Sequence, residues 1–241
     1  MAKNLQLIPT FVKTRNVRNF EVMMNGLALG DGEGRLGLVH GRAGRGKTRT
    51  AQWYAAHSGS IYLRMITVWR TSELEFLRTL CRELGIVSPP HRKGPCFIEI
   101  LDKLLAEPRA LFLDEIEKLS SHFLDVIRDL SDLAKIPIIL IGESELPVVM
   151  RRNARVWSRT QQELEFEPIS SADIVYYIGE STGKQIQLTP TMVAIIEKAS
   201  GGDFRLVRRA LLNLTQIFNA EGSGKVTEQM VSIAVKTGLN G

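Results

Sequence analysis

The stretch Gly41-Arg42-Ala43-Gly44-Arg45-Gly46-Lys47-Thr48 constrains this chain more than any other. It satisfies the pattern G-x-x-x-x-G-K-[ST], a loop that wraps phosphates. Backbone N–H groups must come close to phosphate oxygens there, and only glycine permits that approach and those dihedrals. Lys47 has the reach for β- and γ-phosphates, and the Thr48 hydroxyl suits Mg2+. Arg49 follows at the head of a helix whose positive dipole end adds to the same anion site. Such a loop has to join a buried strand to a helix. Residues 35–40 read as the strand and residues 48–57 as the helix. An α/β fold follows.

A second stretch with chemistry is Ala110-Leu111-Phe112-Leu113-Asp114-Glu115. Its apolar run reads as a central parallel strand. An acidic pair at the carboxyl end of such a strand lies where open α/β sheets bind ligands. Asp114 is expected to hold the Mg2+ shell and Glu115 to polarise an attacking water. Residues 136–142 form another apolar strand that ends in Glu143-Ser144, positions with reach to a γ-phosphate or to that water. Residues 60–64 and 162–166 add two further strand candidates, which makes five.

The remaining organisation is helical. Thr71 reads as a cap for a helix carrying Leu74, Leu77, Leu80 and Leu84. Residues 89–95 read as a loop, and residues 26–34 as a turn. Beyond Pro168 only helical periodicity remains, broken by Pro190, Gly201-Gly202 and Gly222–Gly224. Two domains are therefore expected: residues 1–167, with 1–34 as a lead-in, and a small all-helical domain over 168–241. In the latter, Asp203 is a plausible helix cap, and Arg205 falls in a first turn, where the helix dipole disfavours a cation.

Charge and composition narrow the classes. The net charge of +5 resides entirely in the first 48 residues, which hold eight Lys or Arg against three Asp or Glu. That suggests a polyanion partner. Arg151, Arg152, Arg155 and Arg159 lie within nine residues with no acid between Glu145 and Glu163, an unpaired cluster suited to phosphate. No run of 18 apolar residues occurs, so no membrane span is expected, and the first ten residues lack a signal-type apolar run. Cys81 and Cys96 sit in apolar helical patterns and read as buried free thiols, in keeping with a reducing cytoplasm.

Taken in order, the Gly41–Thr48 loop, Asp114-Glu115, the Glu143-Ser144 strand end, Ser158-Arg159 before a strand, and Gly202-Asp203-x-Arg205 resemble the AAA+ ATPases. Lines such as ALFLDEIEKL and IILIGESEL are similar to the DNA-transposition branch, the MuB-like and TnsC-like target-selection proteins. The resemblance implies a P-loop core with a parallel five-stranded sheet flanked by helices, plus an all-helical C-terminal lid. It implies ATP and Mg2+ as cofactors and double-stranded DNA, a transposase and further copies of the chain as partners. Arg159 resembles an arginine finger reaching a neighbour's γ-phosphate, Arg205 resembles sensor 2, and Glu143 stands where sensor 1 usually carries Asn, Thr or Gln, with Ser144 beside it. The candidate DNA contacts are Arg70 and Thr71 after the second strand and the Arg92-Lys93 loop. The rival reading is a protein-remodelling or secretion-type relative, similar to ExeA, that does not bind DNA.

Overall fold

The computed structural model describes residues 4–30, 35–222 and 224–239. Helix α1 spans Arg15–Leu29 and leads into β1, Leu36–His40. After the glycine loop come α2, Lys47–Ser58, and β2, Ile61–Arg64. A 3-10 turn, Thr67–Thr71, precedes α3, Glu73–Glu83, and α4, Lys93–Ala106. Strand β3, Leu111–Asp114, is followed by α5, Ser121–Ala134, and β4, Ile138–Ile141. The short helices α6, Leu146–Arg152, and α7, Ala154–Trp157, deliver the chain to β5, Thr160–Glu165. Four helices finish it: α8, Ser171–Ser181; α9, Pro190–Ser200; α10, Phe204–Glu221; and α11, Glu228–Leu239.

The five strands form one parallel sheet in the order β2-β3-β4-β1-β5. Strands β1, β3 and β4 are buried throughout, as two-sided coverage by helices demands. Their side chains alternate between two apolar clusters. Leu36, Leu38, Leu111, Leu113, Ile138 and Leu140 face α3, α4 and α5, while Val39, Phe112, Ile139 and Ile141 face α1 and α2. Each fully buried leucine or isoleucine contributes roughly 1.5–3 kcal/mol. Gly37 is small for a reason: a Cβ there would sit 2.8 Å from the Leu27 side chain. Strand β5 is one of the two edges, and its polar sequence TQQELE suits that position.

The chain divides into two compact units. One comprises Asn19–Arg42 and Lys47–Phe166 and contains the sheet; the other combines the described residues up to Arg18 with Ala43–Gly46 and the chain from Glu167 onward. The helical unit has its own core of Ile174, Ile178, Ile196, Val207, Leu211, Leu214, Val231 and Ala234. Leu5 and Val12 are buried in that core. The lead-in expected with the α/β domain is therefore split, because Leu5 and Val12 find their apolar partners among the C-terminal helices. Local chemistry moves several expected boundaries. Helix α1 runs through Gly26 to Leu29, where a turn was expected. The cap of α3 is Ser72, whose side chain accepts from the Glu75 amide, and Thr71 belongs to the 3-10 turn. Helix α4 begins at Lys93, inside the expected 89–95 loop.

Candidate functional site

The strand order sets the site. Strand β1 lies between β4 and β5, so the chain must leave its neighbour in sequence and cross over, and the crevice at such a reversal is where open α/β sheets bind ligands. The carboxyl ends of β1, β3 and β4 deliver Gly41, Asp114 and Gly142 to this edge side by side. Gly41 adopts φ +138°, and a Cβ there would meet the Phe166 carbonyl oxygen at 2.7 Å. Gly44 and Gly46 also have positive φ, as an anion nest requires.

Lys47 is buried at the head of α2. Its Nζ donates to the Gly41 carbonyl oxygen and, at 3.1 Å, to that of Arg42. Glu143 Oε1 lies 3.6 Å away. Burial pulls the Lys47 pKa down, and Glu143, Asp114 and Glu117 oppose that shift. Thr48 Oγ1 donates to Asp114 Oδ2 at 2.7 Å, and the Tyr62 hydroxyl donates to the same oxygen at 2.7 Å. The structure thus brings together Lys47, Thr48, Asp114 and Glu143. Ser144 is half-buried in the turn before α6, and Arg42, Ala43 and Arg49 are exposed around the loop.

Glu115 departs from a freely poised base. It adopts a left-handed conformation, φ 60° and ψ 40°, and its carboxylate accepts from Arg64 Nε at 2.9 Å and also from Arg64 Nη2. The register explains the pairing: Arg64 of β2 stands opposite Asp114 of β3. Glu117, absent from the sequence expectations, presses its carboxylate against Gly142 so closely that a Cβ there would overlap it. Burial raises the Glu117 pKa, with Glu143, Asp114 and Glu115 adding to the rise.

The arginine cluster is not unpaired, which corrects the sequence expectation. Arg159 Nε contacts Asp132 Oδ2 of α5 at 3.0 Å. Arg151 lies 4.8 Å over the Trp157 ring and 3.6 Å from Glu163. Asp132 is remote from the cluster in sequence, and Glu163, just beyond it in β5, turns back to Arg151, 12 positions away, so the fold supplies both pairings. Arg152 and Arg155 are exposed. Among the DNA candidates, Lys93 is held by Glu73 at 2.7 Å, so that side chain already has a carboxylate partner. Arg92 is exposed at the cap position of α4. The side chains of Arg70 and Thr71 lie outside the described residues.

In the helical unit, Asp203 caps α10 and accepts from the Arg205 amide at 2.8 Å. Arg205 Nη2 bonds back to Asp203 Oδ2 at 3.0 Å, which offsets the unfavourable dipole at its position. Burial acts to raise the Asp203 pKa, but the hydrogen bonds and charge of Arg205 outweigh it and hold the carboxyl below its usual range.

Comparison with known proteins follows the same lines. The family model described as an AAA domain matches residues 31–150. The DNA transposition protein B of the Mu-like prophage FluMu in Haemophilus influenzae is 29% identical over 145 residues, covering 57% of this chain and 50% of that protein. The chain is similar to the MuB-like AAA+ proteins. The ATP-dependent target DNA activator B of Escherichia phage Mu is 27% identical over 172 residues, covering 69% of this AAA+ chain and 54% of that protein. The chain therefore spans about half the length of these relatives. Solved structures share the fold: Cdc6p from Pyrobaculum aerophilum with a TM-score of 0.71 at 15% identity, over 97% of this chain and 70% of that one, and the Aeropyrum pernix ORC2 protein with 0.67 at 18%, over 98% and 70%. Among the described residues no helix is long and apolar enough to cross a membrane.

Proposed function

We propose that this AAA+ chain is an ATPase that assembles on double-stranded DNA in the ATP state, without reading base sequence, and presents that DNA to a transposase. The observation that carries the reading is the gathering of Lys47, Thr48, Asp114, Glu115 and Glu143 at the carboxyl edge of β1, β3 and β4. The relative named an ATP-dependent target DNA activator supports the ATP and DNA parts, and the relative named a DNA transposition protein supports the transposition part.

Lys47 and the loop amides bind the β- and γ-phosphates. Thr48 and Asp114 offer adjacent hard oxygens that fit Mg2+, and they would hold it. A Mg2+ held there would supply positive charge to the phosphates. Glu115 takes the proton of a water whose oxygen attacks the γ-phosphorus, and the bond to the β–γ bridging oxygen breaks as ADP leaves. For that, Glu115 must exchange its bonds to Arg64 for one to water. Glu143 or Ser144 senses the γ-phosphate, Arg205 contacts it from the same chain, and Arg159 reaches it from a neighbouring copy. ATP thereby joins subunits, and its hydrolysis releases them. Exposed cations such as Arg92, together with Arg70 and Thr71, contact DNA phosphates, which accounts for sequence indifference.

Sedimentation with duplex DNA in ATP, a non-hydrolysable analogue and ADP tests this. DNA-bound assemblies with ATP or the analogue, absent with ADP and lost in Arg159→Ala, are expected. Assemblies that form with ATP yet ignore DNA would replace the reading with that of a protein-remodelling ATPase.

A further inference from the structure

Position 45 is one of the four loop positions that the phosphate pattern leaves open, and an arginine there would ordinarily extend into water. Arg45 is instead 8% exposed. Its Nη1 donates at 2.8 Å to the carbonyl oxygen of Gly201, the left-handed residue that ends α9. A cation at a helix carboxyl end is favoured by the dipole, and a buried guanidinium requires such a partner. The residue before it makes a second tie: the Gly44 carbonyl oxygen accepts from the Phe204 amide at 2.8 Å.

The segment receiving these two bonds is shaped around them. Gly202 has φ +73°, and a Cβ on it would lie 2.8 Å from Arg45 Nη1 and collide with Pro168. The Asp203 carboxylate rests against Gly44, leaving no room for a side chain at that loop position. Asp203 in turn holds Arg205 by backbone and guanidinium bonds. A continuous chain of contacts thus runs from Gly44 and Arg45 through Gly201–Asp203 to Arg205, all within the helical unit.

We propose that Arg45 is a positioning residue that ties the phosphate loop to the Gly201–Arg205 segment, so that phosphate bound in the loop sets where Arg205 points. Phosphate draws the loop amides onto its oxygens and removes their freedom. The Arg45 side chain and the Gly44 carbonyl, on the other side of the same backbone, pass that constraint to the residues bonded to them. The coupling is reciprocal: an ordered 201–205 segment raises the affinity of the loop for phosphate. The proposal rests on the reading of the loop as a nucleotide site.

The test is amide hydrogen exchange at residues 202–206 with and without ATP, together with ATP binding and turnover, in the parent, Arg45→Ala, Arg45→Lys and Lys47→Ala. In the parent, ATP slows exchange in this segment. In Arg45→Ala, ATP still binds, the slowing falls by about tenfold or more, and kcat drops further than KM rises. Arg45→Lys, which keeps the charge, restores part of the slowing. If Arg45→Ala does not fold, Arg45→Gln takes its place with the same two outcomes. Full ATP-dependent slowing in a folded Arg45→Ala overturns the proposal, provided Lys47→Ala has lost ATP binding. If Lys47→Ala binds ATP as the parent does, the nucleotide-site reading itself fails.

Discussion

Glu115 accepts Arg64 in this structure, and the proposed reaction asks the same carboxylate to accept a water proton. The Arg64 side chain is 61% exposed and that of Glu115 24%, so the pair is well screened by solvent. Its hold on the base is accordingly weak. Arg64→Ala is expected to raise ATP turnover in the absence of DNA by up to about fivefold, read as phosphate release. Glu115→Gln should abolish turnover while leaving ATP binding intact. A rate in Arg64→Ala equal to or below the parent's would show that Arg64 does not restrain Glu115. The left-handed backbone at Glu115 belongs to the same picture. A non-glycine residue with positive φ is a strained position of the kind found at functional sites.

At the level of elements, the N-terminal arm behaves as part of the helical unit. Asn219 of α10 grips Leu5 with both ends of its amide: Oδ1 accepts from the Leu5 amide at 2.8 Å, and Nδ2 donates to the Leu5 carbonyl oxygen at 2.9 Å. A side chain here supplies the paired bonds that a neighbouring strand would supply. The Ile8 amide adds a bond to the Ser181 carbonyl oxygen at 2.8 Å. Leu5 is 2% exposed, so losing the amide leaves two buried backbone groups unsatisfied. Asn219→Ala is expected to cost about 1–3 kcal/mol, measured as a lower urea midpoint. Limited proteolysis should then cut within residues 4–12 much faster than in the parent. An unchanged midpoint and cutting rate would show that Leu5 and Val12 anchor the arm by apolar contact alone.

Over the whole molecule, the buried thiols report on integrity. Cys81 of α3 and Cys96 of α4 are both fully buried and free. Burial, assisted by the adjacent Cys96, pushes the Cys81 thiol up to about 12. Burial raises that of Cys96 as well. A thiol whose pKa is raised stays protonated and unreactive below that value, and the thiolate is the reactive form. At pH 8 the folded protein should therefore react with neither thiol on the time scale of a free cysteine. Unfolding in urea should release two reactive thiols together, at the same midpoint as the loss of helix signal. Rapid native-state labelling of either would show that α3 and α4 open without global unfolding.

Much of this protein is legible in its residues because the signals are local. The glycine loop, the apolar runs of β1, β3 and β4, and the acids that end two of them follow from chain-neighbour chemistry, and they name Lys47, Thr48, Asp114 and Glu143 before any fold is known. The capping role of Asp203 is likewise written in adjacent residues. What the sequence does not carry is which distant residues share a space. Arg64 meets Glu115 because parallel register sets β2 beside β3. Asp132 and Glu163 neutralise arginines that look unpaired in the chain. Glu117 folds back onto Gly142, and Arg45 turns from water to the end of α9. Spacing along a chain determines which groups can serve a phosphate; the partners that restrain those groups are brought by strand order and helix packing, which set Arg45 beside Gly201 from 156 positions away.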